Sequence, residues 1–283
     1  MTSGWSVERP GVPPDGVDLD RPSTARVYDY YLGGSHNYAV DREMAREIVR
    51  LMPAVPRIAR ANRGFGRRVV EYLLTVGVRQ FLDIGSGIPT AGSIHEIAQH
   101  TAPDARVAYV DIDPIAVAYG RATLAGNERV VVVQEDLRRP GWVLSDADLL
   151  RVLDLRQPVA ILMLSLLHFV PDSDDPAGVI ARYRDAVAAG SYLAISHIER
   201  LSDPPSDGEQ ILKVYEQVGT PLTPRTEAEL MSFFAGFDLV EPGLVAVSLW
   251  RPEDVDDPDA IDGPDAEADY ATVGFRAAVG RKP

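Results

Sequence analysis

The 283-residue chain contains no cysteine, which excludes disulfides, thiolate nucleophiles and thiolate metal sites. Lysine is nearly absent too. Lys213 and Lys282 are the only two, and arginine carries almost all of the positive charge. No apolar run approaches the roughly 20 residues that a membrane-spanning helix needs. Residues 1–20 have neither an apolar stretch nor a basic start, so no secretory signal is read there and a cytoplasmic setting is expected. A continuous basic surface is also missing. The net charge is −14, a balance that repels polyanions and disfavours nucleic acid as a partner. Neither an H-E-x-x-H pattern nor a tight His/Asp cluster marks a metal site, so none is expected. A G-x-S-x-G nucleophile elbow is lacking as well, because Gly85-Ser86-Gly87 runs straight into Ile88-Pro89.

What the chain does have is ample apolar material, 46% of its residues, and one dense signal at residues 79–90. Phe81 to Ile84 is a short apolar run holding a single acid, Asp83. Such a run before Gly-x-Gly reads as a buried parallel strand entering a tight turn. Gly85 and Gly87 carry no Cβ and let backbone approach a ligand closely. Residues 90–99 read as the following helix, whose N-terminus would favour an anionic group. The dinucleotide pattern G-x-G-x-x-G fails, because Thr90 stands where its third glycine belongs. An acid two residues before the first glycine suits S-adenosylmethionine instead, a ligand with a cationic amino group and a sulfonium. A plain strand–turn–helix junction without a ligand is the competing reading of this stretch.

The next two strands narrow the choice. Residues 106–113 form a second strand ending in acids, and an acid at that place hydrogen-bonds ribose hydroxyls in open α/β sheets. Asp111 ends the apolar run directly. Asp113, followed by Pro114, reads as a helix N-cap. A third strand over 130–134 leads to Glu135-Asp136-Leu137, where an acid can accept from an adenine amino group. A fourth, over 159–164, would present Ser165, Leu166 and His168 at its carboxyl end. A fifth spans 191–196 with His197 at its end.

Together these segments resemble the actinobacterial S-adenosylmethionine-dependent methyltransferases of the DUF574, or methyltransferase-19, group. The resemblance rests on residues 21–34, Asn62-Arg63, 80–90, His95-Glu96, 109–114, Asp136-Leu137-Arg138, 167–170, 190–193 and 279–283. The arginine bias, typical of a GC-rich genome, agrees with it. The chain departs from the pattern at Ser35-His36 and at Ile112. What the resemblance implies is an α/β class I methyltransferase of Rossmann-like fold. Its sheet would have seven strands, mostly parallel, with helices on both faces and a helical N-terminal cap. The cofactor would be S-adenosylmethionine, leaving as S-adenosylhomocysteine, held by Asp83, Gly85, Ser86, Gly87, Asp111, Ile112, Asp136, Leu137 and Ser165. The acceptor would be a small molecule.

The rest of the chain is read around that core. Residues 1–20 form an arm, 21–75 a helical cap, and 76–283 the cofactor-binding domain. Helices are expected from Ser23 or Thr24 to Tyr31, from Asp41 to Leu51, and over 58–74 after a break at Pro53 to Pro56. The aromatic Tyr28-Asp29-Tyr30-Tyr31 patch runs into Gly33-Gly34. It reads either as helix packing or as a lid, and the resemblance favours the lid, with Tyr31, Gly33 and Asn37 near the cofactor. Arg26 and Arg63 are candidate partners for the cofactor carboxylate. A segment over 199–225 interrupts the sheet where it can wall an acceptor pocket. Two closing strands, 244–250 and 271–279, flank a segment over 252–269 with nine acids and no basic residue, read as a solvated loop. For a catalytic base the order of preference is His168, then His197, then His36. An NAD(P)-dependent oxidoreductase and a non-catalytic S-adenosylmethionine-binding regulator remain as alternatives.

Overall fold

The computed structural model describes residues 19–89, 92–201, 208–252 and 274–283. Expectations for the N-terminal arm before Leu19, for Thr90, and for nearly all of the acidic segment lie outside the described residues.

Three helices precede the sheet. Helix α1 (Thr24–Tyr31) starts at Ser23, whose side chain caps it. Helix α2 (Ala39–Leu51) starts at Tyr38, whose N–H donates to the Asp41 carboxylate at 2.8 Å. That carboxylate also pairs with Arg26 at 2.7 Å, and both side chains are buried. Helix α3 (Val55–Thr75) begins earlier than the expected residue 58. Pro56 lies in its first turn, where a missing N–H leaves no hydrogen bond unmade, so the proline opens this helix and does not hold it off.

The sheet then builds in alternation with helices. Its elements are β1 (Gln80–Ile84), α4 (Ile94–Thr101), β2 (Arg106–Asp111), α5 (Pro114–Thr123), β3 (Val130–Gln134), α6 (Pro140–Ser145), α7 (Ala147–Val152) and β4 (Ala160–Leu164). They continue with α8 (Pro176–Ala186), β5 (Tyr192–Ile198), α9 (Gly208–Gln217), α10 (Glu227–Ser232), β6 (Asp238–Leu239), β7 (Val245–Ala246) and β8 (Phe275–Arg281). Strand order is β3-β2-β1-β4-β5-β8-β6, with β7 also pairing β8. Strands β1 to β5 are parallel, and β8 runs antiparallel to β5, β6 and β7. Alternate residues serve opposite faces. Phe81 packs with Phe65 and Trp250 under α3 and α4, whereas its neighbour Leu82 packs with Leu149 and Tyr183 under α7 and α8. A third apolar cluster joins Val27 and Ile48 of α1 and α2 to Ile211 and Tyr215 of α9.

Three expectations need correction. The sheet has eight strands, not seven. The expected strand over 244–250 is only the two-residue β7 followed by a 3-10 turn at Val247–Leu249. Arg68 from α3 explains the bend: its Nε donates to the Trp250 carbonyl and its Nη2 to the Val247 carbonyl, each at 2.9 Å. These carbonyls are thereby withdrawn from strand pairing. Helix α4 starts at Ile94 and not at 90, because Ser93 and Glu96 form a reciprocal capping box that fixes its first turn. The glycine turn and the helix start are therefore separate features.

Candidate active site

Parallel strands deliver their carboxyl ends to one edge of the sheet, and there the sequence-selected polar groups gather. Gly85 and Gly87 follow β1 with φ of 72° and 63°, values that glycine adopts without a Cβ clash. Their roles differ. A Cβ on Gly85 would lie 2.5 Å from the Leu166 side chain, whereas one on Gly87 would meet nothing within 4 Å. Gly85 thus lets the loop after β4 close over the turn, and Gly87 faces open space.

Asp111 ends β2 with its side chain against this turn. It accepts from the Gly87 N–H at 2.7 Å and from the Asp113 N–H at 2.8 Å. Burial still wins over these donors and pushes its carboxyl up to about 6. Asp83, inside β1, is pushed up to about 7. Burial dominates, Arg63 opposes it, and the Asp111 charge adds to it. A buried acid near neutrality is a receptor for a cation. Asp136 sits after β3 and is held below the ordinary carboxylate range by Arg138 despite partial burial. The guanidinium grips it at 2.6 Å and also pairs with Asp174 at 2.8 Å.

Ser165, after β4, adopts a left-handed φ of 54°, a sparsely populated state for a residue that carries a Cβ. Its N–H donates to Ser196 Oγ at 2.8 Å. Ser196 Oγ donates to Asn62 Oδ1 at 2.6 Å, Asn62 Nδ2 to Tyr28 Oη at 2.9 Å, and Tyr28 Oη to the Ala59 carbonyl at 3.0 Å. One hydrogen-bonded chain therefore ties the strained strand end to α3 and α1.

A single cavity of about 980 Å³ connects these groups. Asp83, Gly85, Ser86, Gly87, Asp111, Ile112, Asp136, Leu137, Ser165 and Arg63 line one side, and Tyr31, His168 and Tyr215 are on its wall as well. Ile112 presents a side chain that is 59% exposed.

His168 is buried, and its Nδ1 has no hydrogen-bond partner among the described residues. Burial, then His197 and Arg225, hold its pKa well below the ordinary value, so the ring is neutral at physiological pH. His197 lies off the cavity wall. Its Nδ1–H donates to the Ile198 carbonyl at 2.7 Å and its Nε2 accepts from Arg225 at 2.9 Å. Both nitrogens are committed, and burial pushes this histidine down to about 4. The same Arg225 donates to the Leu167 and Val170 carbonyls at 2.8 and 2.7 Å. It thereby pins the loop that carries His168.

A family profile described as S-adenosyl methyltransferase matches residues 11–283. The chain belongs to that family. A DUF574 family protein of Streptomyces avermitilis is 39% identical, with 94% of this chain and 99% of that chain covered and a TM-score of 0.86. A candidate methyltransferase of Thermobifida fusca is 36% identical, with 95% and 98% covered and a TM-score of 0.86. No curated protein matches the chain.

The methyltransferase thus uses S-adenosylmethionine on a Rossmann-like class I fold, and the oxidoreductase alternative falls. The strand-end residues fit this cofactor chemically. Asp83 offers a buried negative charge suited to an ammonium or sulfonium, and Asp111 offers acceptor oxygens suited to ribose hydroxyls. The open space at Gly87 admits a ligand against the backbone. Several of the expected site residues make other contacts in this structure. Gly33 and Asn37 are not on the cavity wall. Asn37 is buried and structural: its Nδ2 donates to Asp29 at 2.8 Å, and its Oδ1 accepts from Arg42 at 3.2 Å. Arg26 pairs with Asp41. His197 has both ring nitrogens hydrogen-bonded within the protein. Asp113 caps α5 as expected, accepting from the Ile115 N–H at 2.7 Å, and it also takes the Ser23 hydroxyl. His95 braces β2, with its Nδ1 2.8 Å from Tyr109 Oη.

Sequence reasoning missed Arg225 and the Ser165–Ser196–Asn62–Tyr28 chain. Arg225 sits in Thr223-Pro224-Arg225-Thr226, a context that carries no motif. Asn62 was visible as part of the family pattern, without its partners.

Proposed function

We propose that this methyltransferase modifies a small molecule that enters the same cavity as S-adenosylmethionine. The cavity itself carries the reading. Pockets for one drug-sized ligand run to about 300–1,000 Å³, and this one, at about 980 Å³, stands at the top of that range. It extends from the strand ends to α1, α2 and α9, so it offers room beyond the residues suited to the cofactor. A net charge of −14 also disfavours a polyanionic acceptor.

Bound S-adenosylmethionine supplies an electrophilic methyl group and leaves as S-adenosylhomocysteine. The protein's task is to place the acceptor atom in line and within about 3–3.5 Å. Asp83 and Arg63 hold the amino-acid end of the cofactor, Asp111 the ribose, and Asp136 with Leu137 and Ile112 the adenine. Ser165 borders the reacting centre. His168, neutral and with Nδ1 unengaged, accepts a proton from an acceptor O–H or N–H. Tyr31 and α9 close the acceptor side.

Incubation with methyl-labelled S-adenosylmethionine and a cell extract tests this. Label is expected in the low-mass fraction. Label confined to protein or nucleic acid refutes a small-molecule acceptor, and S-adenosylhomocysteine affinity without any turnover would favour the non-catalytic regulator.

A further inference from the structure

The cavity is chemically two-sided. Near the strand ends its wall carries Asp83, Asp111 and Asp136. Toward the cap and α9 the wall is apolar, with Met52, Val55, Phe169, Ile211, Leu212 and Leu222. Among the described residues, the charged side chains along this second side are few. Asp29 is buried and accepts the His36 N–H at 2.9 Å and Asn37 Nδ2–H at 2.8 Å. Glu199 pairs with Arg276 at 2.9 Å, and Arg200 pairs with Glu229 at 3.6 Å while donating to the Pro224 carbonyl at 2.8 Å. Glu209 is exposed at the rim. A carboxylate or phosphate entering here meets engaged cations, and an ammonium meets carboxylates that already accept hydrogen bonds, pair with arginine or face solvent.

Four buried polar atoms on this side have no hydrogen-bond partner among the described residues: Asp29 Oδ1, Tyr31 Oη, His168 Nδ1 and Thr220 Oγ1. Buried polar atoms are rarely left unpaired, so such atoms in an apolar wall mark places where a ligand completes the hydrogen bonding. His168 and Thr220 lie on segments fixed to one another, since the Thr223 N–H donates to the His168 carbonyl at 2.7 Å.

We propose that the acceptor is an uncharged, mainly apolar molecule of aromatic size, seated between the N-terminal helices and α9, with polar groups that meet His168 Nδ1 and Thr220 Oγ1. This assignment rests on the small-molecule methyl-transfer reading and specifies its substrate class. The wall is mainly apolar, so a charge seated against it loses hydration without gaining a partner, whereas an apolar ring system gains from burial.

The test uses three probes on one skeleton: a neutral naphthol, its carboxylate derivative and its aminomethyl derivative. Each is titrated by calorimetry into full-length protein saturated with S-adenosylhomocysteine. The neutral naphthol is expected to bind about tenfold more tightly than either charged probe. Leu212→Glu and Met52→Glu are each expected to weaken the neutral probe about tenfold while S-adenosylhomocysteine affinity stays within about twofold. A charged probe that binds as tightly as the neutral one overturns the proposal. So does the absence of any probe binding to the saturated wild-type protein, whatever the variants do. Failure of the wild-type protein to bind S-adenosylhomocysteine is a distinct result, which overturns the underlying methyl-transfer reading and this proposal with it.

Discussion

Asp83 should cost the fold stability and repay it only when cofactor is bound. The folded protein raises its carboxyl from 3.8 to about 7, chiefly by burial. An acid raised in this way binds a proton more tightly folded than unfolded. Stability is therefore greatest below the unfolded value and falls as pH rises through the folded one. Integrated across that window, the loss amounts to about 4 kcal/mol at pH 8 and under half of that at pH 5. Asp83→Asn keeps the shape and removes the charge. It should stabilise the free protein by about 2–4 kcal/mol at pH 8, with the gain narrowing by roughly 2–3 kcal/mol at pH 5. The buried histidines also titrate in this range, so the difference between variant and wild type is the informative quantity. Urea unfolding of both proteins at the two pH values measures it. In parallel, the variant should lose about tenfold or more in S-adenosylmethionine affinity, because the cation then has no buried counter-charge. A stability difference independent of pH, or a variant less stable than wild type at pH 8, refutes the reasoning.

Three further outcomes follow from the same geometry. Asp111→Ala should weaken S-adenosylmethionine binding by about 1.5–3 kcal/mol, as expected for lost charge-assisted hydrogen bonds, and unchanged affinity in a folded variant removes Asp111 from the site. Cofactor affinity should rise from pH 5 to pH 8 as Asp111 ionises near 6 and Asp83 near 7. Calorimetry near pH 6.5 in buffers of different ionisation enthalpy should then detect proton release, and a flat profile contradicts the charge pairing. Arg225→Met strands the Leu167 and Val170 carbonyls and His197, so unfolding free energy should drop by about 3–5 kcal/mol. A drop below about 1 kcal/mol would show that the clamp is not needed.

Local chemistry was legible from the chain. The β1 turn, the acids ending β2 and β3, and the Asp113 cap each depend on a few consecutive residues. Side-chain alternation and cap chemistry act over that span. Fold class and cofactor followed from these segments together with the family pattern. The strand over 244–250 was misread because Leu244 to Trp250 is apolar enough for a strand. What bends it is Arg68, which reaches Trp250 across 182 residues.

The sequence by itself determined the parallel sheet, the glycine turn and the acids at its edge, because strand periodicity and glycine chemistry are local. Only the tertiary structure decided which polar residues face ligand and which serve the frame. His168 and His197 stand at comparable places after β4 and within β5, yet Arg225 engages one ring and leaves the other's Nδ1 unsatisfied. Asn37 turned inward to Asp29, and Arg26 to Asp41. Ser165 and Tyr28 became linked through Asn62 and Ser196, which are 134 residues apart. Each choice depends on burial and on partners distant along the chain, and burial sets the cost of leaving a polar group alone.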